Sequence, residues 1–271
     1  MILKALTYLK EEDMDYKLTT FDQMNAIGTI TLNHPEKRNA LSFAMLKELN
    51  DMLDNLKKNG DVKVVIVRGA GKIFSSGHDL SEMIDDGLKD YMEIFETCST
   101  FMQKIQAMPQ PFIAQVHGVA TAAGCQLVAA CDLAVAEEGA LFATPGVRLG
   151  IFCSTPAIPL VRAVGRKRAL EMLFTGRMIS AKEAEQYGLV NKVVPFNRLE
   201  EETKAIAEKI AEASPLTLKI GKQAFYAQVN LSDAQAYNLG NEVMVGNLFA
   251  EDANEGIRAF LEKRKPVWTG K

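Results

Sequence analysis

The chain has 271 residues, 48% of them hydrophobic and 24% charged, and its 31 Lys and Arg against 34 Asp and Glu give a formal net charge of −3. With a mean hydropathy of −0.02 and a pI near 5.8, this is an ordinary globular composition, without the basic surplus that nucleic acid or an anionic membrane surface demands. No apolar run approaches the roughly 18 residues of a membrane span, and the four cysteines and three histidines are too scattered for a disulfide framework or a local zinc cluster.

Within Met1 to Lys17, Glu11, Glu12, Asp13 and Asp15 fit neither an acid-poor transit peptide nor an apolar secretory core, so a cytoplasmic protein with reduced thiols is expected. The β-branched run Ile27 to Leu32 predicts a strand, ended by Asn33-His34-Pro35. Leu46, Leu49, Leu53 and Leu56 fall on one face of a helix over Phe43 to Lys58, with Ser42 placed to cap it. Val62 to Val67 predicts a buried strand, Leu88 to Met108 a long helix, and Phe112 to Val116 and Leu133 to Ala136 two more strands. Alternating strands and helices predict a parallel-type sheet. From Ala157 onward nearly everything reads as helix, over 157–164, 168–174, 181–187, 199–213, 215–230, 234–249 and 254–263. A change of character near residue 200 separates a core, 1–200, from a helical C-terminal part, 201–271.

Gly69-Ala70-Gly71 after a strand invites a dinucleotide loop or a P-loop. Phe74 and Ile66 stand where the further glycines belong, which leaves a plain turn. Phe74-Ser75-Ser76-Gly77-His78-Asp79-Leu80 is more informative, because small residues after a strand let the backbone approach a ligand and offer N–H donors. Ser, His and Asp so close in sequence do not converge as a triad, and no G-x-S-x-G elbow exists. His117 to Leu127 carries the small-residue tract Ala120 to Gly124 into a helix start, where unpaired N–H groups and a partial positive charge suit an oxyanion. Read from these residues alone, a buried Ala-rich helix start fits as well.

Taken together, the F-x-x-G-x-D-L loop and the V-x-G-x-A-x-x-x-G-C-x-L helix start resemble the enoyl-CoA hydratase/isomerase family, the crotonase superfamily. Further matches run from Pro35-Glu36-Lys37-Arg38-Asn39-Ala40-Leu41 through Cys131-Asp132-Leu133-Ala134 and Phe142-Ala143-Thr144-Pro145 to Gly256 and Arg264. The resemblance implies an α/β fold, a crotonase-like spiral of ββα units with a helical C-terminal region that trimerises and covers coenzyme A. It implies an acyl-CoA substrate, with no cofactor beyond its coenzyme A and no metal, and a homotrimer or homohexamer as the assembly. The thioester carbonyl would lie between the backbone N–H groups of His78 and Ala123, which stabilise an enolate. Lys37, Arg38, Ala40 and Leu41, with Ser76, Asp79 and Leu80, would line the coenzyme A path, and Phe260 and Lys263 would reach its adenine and phosphate end from a neighbouring subunit.

The family's two water-activating glutamates fall here on Gln126 and Gly146, and an acid found farther along in other branches falls on Ser154. Gln cannot take a proton at neutral pH and Gly has no side chain, while general acid–base catalysis supplies about 10²–10⁴-fold per group. Two readings stand: an acyl-CoA enzyme with another acid or base, Gln126 and Ser154 being polar groups of the acyl pocket, or a non-catalytic acyl-CoA binder. Thioester hydrolysis ranks below both. Residues within Tyr91 to Met108 are expected to set acyl specificity, and glutamates returned to positions 126 and 146 discriminate the two readings: hydration gained on a silent background means that the scaffold is intact and only the acid/base pair is missing.

Overall fold

In the computed structural model the described residues are Tyr16 to Lys271 apart from Asp85 and Asp86; the acidic residues on which the N-terminal reading rests lie outside them. The first two strands, β1 (Thr19–Met24) and β2 (Ile27–Leu32), form an antiparallel hairpin that turns at Asn25. Next come α1 (Phe43–Leu56), whose N-cap Ser42 accepts from the Met45 N–H, and the buried strand β3 (Val64–Gly69). After α2 (Leu88–Ala107) the chain repeats a pattern: β4 (Phe112–Val116), a short β5 (Val119–Thr121) and α3 (Ala123–Ala130), then β6 (Leu133–Glu137) and a short β7 (Leu141–Ala143). The helices α4 (Ser154–Val164) and α5 (Arg166–Thr175), β8 (Ile179–Ser180), α6 (Ala181–Tyr187) and β9 (Lys192–Val194) follow. The last four elements are α7 (Leu199–Ala211), α8 (Pro215–Gln228), α9 (Asp233–Leu248) and α10 (Glu251–Leu261).

The main sheet runs β1-β2-β3-β4-β6-β9, parallel from β2 onward, so each crossover moves the chain one strand along in sequence order. A second sheet, β5-β7-β8, lies beside it, and an isolated parallel bridge joins Ser75 to Ala120. The result is the expected spiral of strand, short strand and helix. Period-2 alternation divides the core between the two faces of the main sheet. Val65, Val67, Phe112, Ala114 and Val116 pack with α1, α2 and α3 on one side, and Val64, Ile66, Ile113 and Val135 meet Leu199 and Ala207 of α7 on the other.

Beyond α7 the character changes. Among the described residues α8 and α9 bury nothing, and α10 buries only Asp252 and Ala259. Polar pins hold this layer on. Lys222 Nζ of α8 donates to Asp132 Oδ2 at 2.6 Å and to the carbonyls of Ile105 and Gln110 at 2.7 and 2.8 Å. Asp252 accepts from the Ser214 hydroxyl at 2.6 Å and from the Thr269 N–H at 2.7 Å.

Candidate functional site

Three stretches far apart in sequence are bonded into one wall. Asn39, fully buried at φ 50°, donates through Nδ2 to the Ala70 and Ile73 carbonyls (2.8 and 2.9 Å) and accepts from the His34 N–H at 3.0 Å. That anchors the Lys37–Leu41 turn. The turn then pairs with the glycine loop: Ser76 N–H donates to Arg38 O at 3.1 Å, and Leu41 N–H to Gly77 O at 2.7 Å. The same loop is stitched to β5 by Ser75 N–H to Val119 O, Thr121 N–H to Ser75 O, and the Thr121 hydroxyl to Ser76 O.

Gly77 is required twice over. Its φ is +92°, a region L side chains avoid, and a Cβ there would stand 2.8 Å from Ala122 Cβ and 3.1 Å from Ala123 N. The loop therefore lies directly against the start of α3. Ala122, at φ 50° and ψ −119°, makes the sharp turn from β5 into that helix, a strained geometry for a residue with a side chain, which costs about 1–3 kcal/mol. Among the described residues neither the His78 nor the Ala123 N–H meets an acceptor. Ala123 is the first residue of α3, where an N–H has no intrahelical partner.

Both residues line a cavity of about 840 Å³. Lys37, Arg38, Ala40, Ser76, Asp79, Leu80, Gly146 and Ser154 line it too, so most of the expected site residues come together. Leu41 is fully buried behind the wall and contributes its carbonyl to His78 Nδ1 at 3.2 Å. A carbonyl only accepts, so Nδ1 carries the proton and Nε2 the lone pair. Burial lowers the His78 pKa and keeps the ring neutral, edge-on to Phe95 with centroids 5.4 Å apart, while Nε2 is sealed off without a partner. The Ser81 hydroxyl and N–H hold the Asp79 carboxyl below the usual carboxylate range, helped by Lys37 at 3.7 Å, and its side chain caps the turn Leu80–Met83. Ser154 opens α4, and its hydroxyl donates back to Phe152 O at 3.3 Å.

The placement of Gln126 departs from the sequence reading. Gln126 does not line this cavity; it opens onto a second one of about 600 Å³, and its carboxamide bonds no described residue. Position 146 has no room for a larger side chain: a Cβ there would meet Ile151 O at 2.5 Å and Cys153 Sγ at 2.7 Å. Cys153 lines the cavity and accepts the Gly146 N–H at 3.3 Å; burial pushes its thiol pKa up. Phe260 and Lys263 lie away from the cavity on the exposed surface of α10 and its end. Phe95 falls within the Tyr91 to Met108 stretch expected to set acyl specificity, and it reaches the cavity from α2.

A family model described as enoyl-CoA hydratase/isomerase matches residues 22–271. Five relatives, the human and mouse proteins among them, carry the name enoyl-CoA hydratase domain-containing protein 3, mitochondrial. The human one is 53% identical over 253 residues, 93% of this chain and 83% of its own length. The mouse one is 51% identical over 254 residues, 93% of this chain and 85% of its own length. A solved enoyl-CoA hydratase from Mycobacterium smegmatis superposes with a TM-score of 0.91 at 44% identity, covering 93% of this chain and 99% of that one. The expected cytoplasmic location does not stand, because relatives at about half identity are named mitochondrial. Composition had no power to separate those compartments, since a globular protein with reduced thiols suits either. Fold, motifs and a family match over nearly the whole length agree, and the chain belongs to the enoyl-CoA hydratase/isomerase family.

Proposed function

We propose that the chain binds an acyl-CoA thioester with its carbonyl oxygen between the N–H groups of His78 and Ala123, and that these stabilise the enolate formed when an α-proton leaves. One observation carries this reading: two backbone donors without partners, from different segments, lie at the wall of one cavity. Donors fixed in place before reaction need no reorganisation, and losing one such donor typically costs about 10²–10³-fold in rate. Lys37, Arg38 and Ala40 line the same cavity and supply a path for coenzyme A.

Water addition by a glutamate pair is not part of this proposal. Gln126 opens elsewhere, and the space beside Gly146 is filled by Ile151 O and Cys153 Sγ. Those two facts favour a second reading, an acyl-CoA binder that keeps the scaffold without turnover. The helical region 201–271 serves assembly in both readings. The apolar exposure of Phe249 (84%) and Phe260 (82%) supports a homotrimer or homohexamer in which Phe260 and Lys263 approach a neighbour's coenzyme A.

Incubation with acyl-CoAs in deuterated water, followed by mass spectrometry, separates the readings. Deuterium at the α-carbon, lost in Ala123→Pro, is the result expected of an enzyme; proline removes the N–H and is tolerated at the first helical position, with circular dichroism as the fold check. Tight binding of acyl-CoAs with no label selects the binder. A folded protein that binds no acyl-CoA refutes both.

A further inference from the structure

The two cavities lie end to end along the same three helices. α2 presents Phe95 to the first and then Ser99, Met102 and Gln106 to the second, one continuous stripe at helical spacing. α3 gives Ala123 to the first, then Gln126 and Ala130 to the second. α4 gives Ser154 to the first, Thr155 to both, and Ile158 and Arg162 to the second. Gln126, only 4% exposed and one helical turn beyond the proposed carbonyl donor, sits at the junction with its Oε1 unpartnered.

The lining of the second cavity carries one cation among the described residues, the exposed Arg162. Among the described residues Arg162 meets no carboxylate; its Nη1 donates to the Ile158 carbonyl at 2.8 Å, which leaves most of its donors open. The one carboxylate in the same lining, Asp132, is already engaged by Lys222 Nζ at 2.6 Å, Tyr226 OH at 2.8 Å and the Phe112 N–H at 2.7 Å. A hydrocarbon tail would leave the buried Gln126 carboxamide facing methylenes, while the exposed Arg162 guanidinium at the rim of the second cavity would have no anion to meet. From Thr155 to Arg162 is seven helical residues, about 10 Å, a distance suited to a chain of medium length.

We propose, resting on the acyl-CoA reading above, that the acyl chain runs from the His78–Ala123 cavity past Gln126 into the second cavity and ends in a carboxylate held by Arg162. The ligand class is then the mono-CoA thioester of a medium-chain dicarboxylic acid.

Titration calorimetry with butyryl-CoA, octanoyl-CoA and octanedioyl-CoA tests this on wild type, Arg162→Leu and Arg162→Gln, with thermal melts as the fold check. Wild type should bind octanedioyl-CoA about tenfold more tightly than octanoyl-CoA, the scale of one charge-assisted contact. Either variant should bring the two within about twofold by weakening octanedioyl-CoA. Equal or tighter binding of octanoyl-CoA by wild type overturns the proposal, as does a preference that survives in both variants. Butyryl-CoA binding without any dicarboxylate preference overturns this inference alone, whereas failure of every thioester to bind overturns the acyl-CoA reading with it.

Discussion

Gly146 offers the sharpest test of how tightly the wall of this cavity is packed. An added Cβ would stand 2.5 Å from the Ile151 carbonyl oxygen and 2.7 Å from Cys153 Sγ, and the same Sγ accepts the Gly146 N–H at 3.3 Å. The backbone at Ile151 cannot yield as a flexible side chain would. Overpacking of this kind costs about 1–3 kcal/mol. At roughly 2–4 °C per kcal/mol for a chain of this size, Gly146→Ala at about 2 kcal/mol should lower Tm by about 4–8 °C. Cys153→Ala removes one of the two clashing atoms, so Gly146→Ala with Cys153→Ala should recover part of that loss, a coupling of about 0.5–1 kcal/mol in a double-mutant cycle. Differential scanning calorimetry of the four proteins supplies the numbers. The combined variant Gln126→Glu, Gly146→Glu should be less stable still and should not hydrate crotonyl-CoA. A Gly146→Ala protein melting at the wild-type temperature, or a stably folded double-Glu protein that hydrates crotonyl-CoA, would refute the packing argument.

His78 is neutral in the fold because burial lowers its pKa. The unfolded chain, with an ordinary His pKa near 6.5, binds that proton first, so the associated stability is present above about pH 6.5 and falls away below it toward the lower folded pKa. Melts between pH 7.5 and 5.5 should show a steeper loss for wild type than for His78→Gln; parallel slopes would contradict the assignment. Lys222→Met leaves Asp132 without its cation, and breaking a buried pair on one side costs about 3–5 kcal/mol. Urea unfolding should show that loss, and a cost under 1 kcal/mol would mean that Lys222 is not what pins α8.

Much of this architecture is written in local pattern. β2, β4 and α6 begin and end where the apolar runs and flanking breakers place them, and Ser42 caps α1 as its chemistry suggests. β1 escaped notice because it is a half-exposed edge strand, and β5, β7, β8 and β9 are two or three residues long, too short for period-2 alternation to register. The two donor segments were legible as small-residue tracts. The direction in which Gln126 points was not: Ala123 to Ala130 is buried on nearly every side, so no polar face orients α3. The contact between Gly146 and Cys153 closes a loop whose shape depends on α4 and the β7 end, and no local pattern in the sequence carries it.

The bridge between Ser75 and Ala120 has a consequence for the proposed carbonyl site. Counting three residues onward from each partner arrives at His78 on one strand path and Ala123 on the other. The bridge holds the two segments at the interval of neighbouring strands, about 4.8 Å, immediately before Gly77 at φ +92° and Ala122 at φ 50° turn them toward the cavity. The bridge and the two turns together therefore fix how the donor segments approach each other. A single residue inserted between Ser75 and His78 would put the two counts out of step while leaving every side chain of the cavity in the sequence.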